Sequence, residues 1–127
     1  DFSCIYIDVN GLHELHNYMG HKAGDAMLRF VAESIRSIFG SSDSYRIGGD
    51  EFVVFSINES ADVLNNKLKE LKNMIESNNY HISVGICSRS ESKESIEQII
   101  ANAEAAMYRD KQAFYSKSDR RVRKTNA

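Results

Sequence analysis

Hydrophobic residues are spaced along this chain in two distinct periods, and the places where the period changes divide it into elements. Residues 3–9, Ser-Cys-Ile-Tyr-Ile-Asp-Val, are nearly all apolar or β-favouring, which predicts a strand covered on both faces with a carboxylate, Asp8, close to its end. A mixed pattern over 12–18 predicts a short helix. From about 23 to 39, Ala23, Met27, Phe30, Val31, Ile35 and Ile38 recur at three- and four-residue steps, and Gly40 follows as a stop, so this stretch reads as an amphipathic helix. Strands are expected near 44–47 and 51–57. After Asn58-Glu59-Ser60, the stripe Leu64, Leu68, Leu71 and Ile75 predicts a helix lying on a sheet. Residues 80–87 alternate Tyr80, Ile82, Val84 and Ile86 with His81, Ser83, Gly85 and Cys87, the period of a strand. Ser95-Ile96-Glu97-Gln98 is a capping-box pattern opening a last helix, with Ile96, Ile99, Ala103, Met107 and Phe114 on one side. From Lys117 the apolar positions cease, so residues 117–127 are expected to form a charged, frayed tail whose Arg120, Arg121, Arg123 and Lys124 are solvated.

Between the two middle strands stands Gly48-Gly49-Asp50-Glu51, the least expected stretch in the chain. A glycine pair between strands predicts a tight hairpin whose turn needs positive φ. Adjacent strand residues point to opposite faces, so one of the two carboxylates is expected to look across the sheet edge and the other back along the turn. If the first strand lies beside this hairpin, Asp8 approaches Asp50 and Glu51. Read alone, each group has a plainer explanation, Asp8 as a cap for the turn at Asn10-Gly11 and the acidic pair as solvated turn residues. Together they suit a hard divalent cation, which prefers oxygen ligands and completes its shell with water and phosphates. Two such ions about 4 Å apart stabilise the entering and leaving oxygens of a phosphoryl displacement.

Composition narrows the class further. With 127 residues the chain fits one domain. A net charge of −2 provides no general attraction for nucleic acid or anionic membrane, so a phosphate ligand has to be held by local groups or a metal. No apolar run approaches the roughly 20 residues of a membrane span. Cys4 and Cys87 are isolated and in strand-like runs, which predicts reduced thiols and a cytoplasmic setting. The chain opens directly in a strand, as expected of a piece of a longer protein. One sheet with amphipathic helices on its faces is the economical architecture, an α/β (α+β) fold.

Five segments in order, Ile5-Tyr6-Ile7-Asp8-Val9-Asn10, Gly20-His21-Lys22-Ala23-Gly24-Asp25-Ala26, Arg46-Ile47-Gly48-Gly49-Asp50-Glu51-Phe52, Ile82-Ser83-Val84-Gly85-Ile86 and Ala105-Ala106-Met107-Tyr108-Arg109-Asp110-Lys111, closely resemble the successive motifs of GGDEF domains, the diguanylate cyclases that condense two GTP into cyclic di-GMP. The resemblance implies a domain over residues 1–116, its N-terminal helix missing. It implies a mostly antiparallel sheet of the ferredoxin-like, nucleotidyl-cyclase palm type. It implies that Asp8, the carbonyl of Val9, Asp50 and Glu51 hold Mg²⁺ or Mn²⁺, with Asp50 and Glu51 as the catalytic pair and Asp50 assisting deprotonation of the attacking 3′-hydroxyl. Asn10 to His13 match a phosphate cradle that includes Gly11, Leu12 and His13, where N–H groups at a helix start face the anion. Asp25 matches the guanine-reading aspartate, His21 falls on the substrate side and Lys111 matches a phosphate-contacting lysine. Without the resemblance, Lys111 reads as a solvated helix residue.

Some positions depart from the pattern. Leu12-His13 stands for Phe-Lys and His16 for a guanine-binding asparagine. Phe114-Tyr115-Ser116 stands for Gly-Arg-Asn, and Phe39-Gly40-Ser41-Ser42 lacks the Arg-x-x-Asp of feedback inhibition. A lost ionic hydrogen bond costs about 1.5 to 3 kcal/mol, so weak GTP binding is expected. His16 is expected to offer its imidazole N–H to guanine in place of the amide. Two readings follow. The first is a cyclase working as a homodimer under an upstream sensor or regulatory domain; the second is a partly degenerate domain binding GTP or a protein without turnover. A nucleic-acid polymerase palm shares the two-metal logic but requires a template channel and a basic face that this sequence lacks. Direct membrane contact is not expected.

Overall fold

The continuous apolar run at the start of the chain becomes β1 (Phe2–Asn10), flanked by a strand on each side, in a computed structural model that describes residues 2–40, 43–89 and 94–125. It is followed by α1 (Leu12–Met19), α2 (His21–Phe39), β2 (Ser44–Arg46), β3 (Glu51–Ile57), α3 (Ala61–Glu76), β4 (His81–Ser88) and α4 (Ile96–Thr125). The sheet runs β2-β3-β1-β4 with every neighbouring pair antiparallel. This is the ferredoxin-like arrangement, in which two β-α-β units are each split by a strand of the other.

Strand alternation sorts the core into two layers. Ile5, Ile7 and Val9 turn toward α2 and α3, where they meet Met27, Val31, Ile35, Leu64, Leu71 and Ile75. Cys4 and Tyr6 turn the other way with Val53, against Ile99, Ala103 and Met107 of α4. Two residues beyond Tyr6, Asp8 therefore faces α4. That helix can lie close to the sheet because of Gly85, where an added Cβ would stand 2.1 Å from the Ala103 carbonyl oxygen and 2.3 Å from the Met107 nitrogen. Asp110 then fastens α4, its Oδ2 accepting from the Val84 N–H at 2.8 Å and from Lys72 Nζ at 3.3 Å.

The expected tight turn at Gly48-Gly49 is not what forms. β2 ends at Arg46 and β3 begins at Glu51, so the reversal takes the wider loop 47–50, and neither glycine has a left-handed φ. A wider loop can reverse the chain without such residues. It is closed by the Ile47 N–H donating to the Glu51 carbonyl at 3.0 Å. Arg46 completes it, donating from Nε to the Gly48 carbonyl at 3.1 Å and from Nη2 to the Gly49 carbonyl at 2.7 Å.

The helix α2 starts at His21, before the expected Ala23, and α4 continues past Lys117. The side chains of Arg120, Arg121, Arg123 and Lys124, and residues Ser41 and Ser42 of the missing inhibitory motif, lie outside the described residues. Cys4 and Cys87 sit opposite one another across β1 and β4 as free thiols. Burial, and then the neighbouring Cys87, push the Cys4 thiol up to about 12, the behaviour of an inert core cysteine. Among the described residues no helix is long and apolar enough to cross a membrane.

Candidate metal and nucleotide site

The antiparallel register of β1 and β3 sets Asp8 directly opposite Glu51, and the next residue, Val9, donates its N–H to the Asp50 carbonyl at 2.9 Å. Carboxylates from two distant segments thus meet at one end of the sheet. Asp8 is 1% exposed, and its two oxygens differ: Oδ2 accepts from Lys111 Nζ at 2.6 Å, while Oδ1 is buried with no partner. Burial lifts the Asp8 carboxyl to about 6; the Lys111 bond pulls it down, and the charge of Asp50 pushes it up again. Asp50 therefore lies close enough for its charge to act on Asp8. For Lys111 burial works against the charge, but the bond to Asp8 and the nearby Asp8, Asp50 and Tyr115 outweigh it and raise its pKa. Lys111 is therefore tied into the site rather than solvated.

Glu51 is partly committed elsewhere, because the Tyr6 hydroxyl donates to its Oε2 at 2.7 Å. Tyr6 is held far above its usual range, by burial first and then by bonds to Glu51 and Glu104. Neither Tyr6 nor Glu104 was singled out by the sequence. The signal was the strand alternation itself, which puts Tyr6, Asp8 and Glu51 on one face. Among the described residues, no group of three His, Cys, Asp or Glu side chains is assembled for a metal. The donor set still fits a hard cation. A buried carboxylate oxygen without a partner beside a second carboxylate is an unfilled acceptor site, and every donor concerned is oxygen, as Mg²⁺ or Mn²⁺ requires. The Lys111 ammonium is the cation that such an ion has to compete with.

At the start of α1, the Gly11 N–H donates to the Tyr115 hydroxyl at 3.3 Å. Tyr115 lies one helical turn beyond Lys111 on α4, beside Phe114, whose ring is 5.1 Å from that of His81 and 5.2 Å from that of Tyr115. The end of α4 therefore covers the end of β1 with Lys111 on Asp8 and Tyr115 on Gly11. Leu12 packs against the core and His13 is exposed.

The remaining residues gather on the other face of the sheet. Asp25 of α2 lines a cleft of ≈ 280 Å³ with Leu28, Arg29, Arg46 and Phe52. His16 and His21 stand beside each other with ring centroids 4.7 Å apart. The Nε2 of His16 is buried without a hydrogen-bond partner. It points at Gly24, where an added Cβ would come within 2.0 Å of it. This nitrogen faces the backbone of α2 at Gly24. The structure thus brings Asp8, Val9, Asp50, Glu51, Gly11 and Lys111 to one end of the sheet. Asp25, His16 and His21 form a second group across the sheet edge, and His13 joins neither.

The family model "Diguanylate cyclase, GGDEF domain" matches residues 1–117. "Diguanylate cyclase A" of Treponema denticola is 31% identical over 120 residues, which is 87% of this chain and 32% of that protein. "Cyclic di-GMP phosphodiesterase NbdA" of Pseudomonas aeruginosa is 28% identical over 116 residues, covering 84% of this chain and 15% of that protein. The chain thus spans a third or less of these two relatives. The crystal structure of the GGDEF domain of DgcB from Caulobacter crescentus in complex with c-di-GMP is similar with a TM-score of 0.78 and 25% identity, over 88% of this chain and 72% of that one. On the strength of a family match that spans both carboxylate segments and the lysine that meets them, the chain belongs to the GGDEF family of diguanylate cyclase domains.

Proposed function

We propose that residues 1–116 form the catalytic domain of a diguanylate cyclase that binds one GTP per chain and works as a homodimer under the control of regions outside this sequence. In the reaction each 3′-hydroxyl attacks the α-phosphate of the facing nucleotide, and two pyrophosphates leave. The observation carrying this reading is the buried Asp8, with one bare oxygen, beside Asp50 at the end of β1. Asp8, Asp50, Glu51 and the Val9 carbonyl hold Mg²⁺ or Mn²⁺, which when bound lowers the pKa of the attacking hydroxyl and stabilises charge on the α-phosphate. Asp50 accepts the proton from that hydroxyl. Asp25, at the mouth of its cleft, reads guanine by accepting from N1–H and the 2-amino group together. The N–H groups of the Gly11 loop and the Lys111 ammonium meet the phosphates once Tyr115 and Asp8 release them. Purified protein given GTP and Mg²⁺ is expected to yield cyclic di-GMP by mass spectrometry, and Asp50→Ala to yield none. Absence of product even after fusion to a dimerising coiled coil would refute catalysis.

A second reading, GTP binding without turnover, is favoured by one observation. Lys111 and Tyr115 already occupy Asp8 and Gly11, so the chain's own α4 fills positions that the substrate and ion need. Calorimetry that shows GTP binding together with no product supports this reading over the first.

A further inference from the structure

One face of this molecule has no part in the site just described. β4 is an edge strand eight residues long, in contrast to the three-residue β2 at the other edge. Its hydrogen bonding toward β1 uses alternate residues. Arg89 N–H donates to the Phe2 carbonyl at 2.7 Å, so by the register His81, Ser83, Gly85 and Cys87 bond inward, while Ile82, Val84 and Ile86 turn their backbone groups outward. The outward N–H of Val84 is capped by Asp110; that of Ile86 has no partner among the described residues. Along this edge runs a cleft of ≈ 620 Å³ between α3 and α4, with Val84 and Ile86 on its floor and Lys69, Lys72, Arg109 and Asp110 on its walls. Three cations face one carboxylate in a chain whose net charge is −2. Lys72 is paired with Asp110, and Lys69 and Arg109 have no carboxylate partner among the described residues.

We infer that this groove is a docking site for an extended acidic segment of a partner protein, which adds to β4 as a further strand. Strand addition supplies backbone hydrogen bonds to an open edge, while pockets beside it select alternate side chains. Here the selection is for carboxylates, which Lys69, Arg109 and Lys72 meet. The incoming strand also needs the Val84 N–H, so its carbonyl displaces Asp110, and Lys72 passes from Asp110 to the partner. Long open edges are otherwise an aggregation hazard, and the Asp110 cap protects this one until a better acceptor arrives. Asp110 is followed by Lys111, which rests on Asp8. Docking therefore disturbs the turn of α4 that closes the other site, a consequence that rests on the proposed role of Asp8; the docking itself does not.

The test uses the ¹⁵N-labelled chain and a capped peptide Asp-Val-Asp-Val-Asp, followed by two-dimensional NMR. Saturable shifts centred on the Val84 and Ile86 amides are expected, with affinity weakened at least tenfold in Lys69→Glu/Arg109→Glu, a variant of two exposed positions whose fold is checked by its unchanged spectrum elsewhere. GTP affinity of that variant is expected to match the parent, so failure of the docking and failure of the nucleotide site are told apart. The inference is overturned if no saturable shift appears up to millimolar peptide, or if Lys-Val-Lys-Val-Lys or inorganic phosphate produces the same shifts. It is also overturned if charge reversal leaves affinity unchanged, or if the amides shift with protein concentration alone, which would make a second copy the occupant.

Discussion

Asp8 and Lys111, separated by 103 positions in sequence, meet at 2.6 Å, yet burial outweighs the ammonium beside it and pushes the Asp8 carboxyl up to about 6. The folded-state value lies above the ordinary 3.8, so folding favours the protonated form. The stability contributed by this group is complete below about pH 4 and is lost as pH rises through about 6. The parent chain should therefore lose on the order of 2 kcal/mol relative to Asp8→Asn between those limits. Urea unfolding in a chelating buffer at pH 4 and pH 7 checks this, and parallel pH profiles for the two proteins would refute it.

Gly85 sets the height of α4 above the sheet. In Gly85→Ala the new methyl meets backbone atoms of Ala103 and Met107, which cannot rotate away. The expected loss is about 3 kcal/mol, measured by chemical denaturation, with Lys111 drawn off Asp8 as α4 lifts. A loss below 1 kcal/mol would mean that the helix is not seated on Gly85.

Much of this was legible in the sequence, and the reason is periodicity. Strand and helix periods located β1, α2, α3, β4 and α4, the glycine pair located β2 and β3, and Asp8 could be placed at a strand end because its neighbours are so uniformly apolar. The Gly48-Gly49 loop was misread because a glycine pair signals turn chemistry but not loop length, and Arg46, a tertiary clamp, is what closes the wider loop. The burial of His16 Nε2 against Gly24, and of Tyr6 against Glu51, depends on which helix faces reach one another. No local pattern encodes that, and only the packed structure supplies it.

Gly24 and His16 should be energetically coupled. The helical gain of glycine to alanine, about 1 kcal/mol, is expected in full for Gly24→Ala in a His16→Ala background. In the parent it is offset, because the imidazole must leave its seat. A double-mutant cycle is expected to show a coupling of at least about 0.5 kcal/mol; additive effects would contradict the contact.

Tyr6→Phe deletes the donor to Glu51 from a residue 5% exposed. A loss of about 1 to 2 kcal/mol in denaturant midpoint measurements is expected. An unchanged midpoint would show that the hydroxyl contributes nothing to the fold.

The proposed function requires that Asp8 and Asp50 together form the cation site. Titrating Mn²⁺ into the ¹⁵N-labelled chain and reading paramagnetic broadening tests it directly. The amides of Asp8, Val9, Asp50 and Glu51 are predicted to broaden first, and Asp8→Asn to abolish that pattern. Broadening spread over surface carboxylates such as Glu59, or a pattern indifferent to Asp8→Asn, would contradict it.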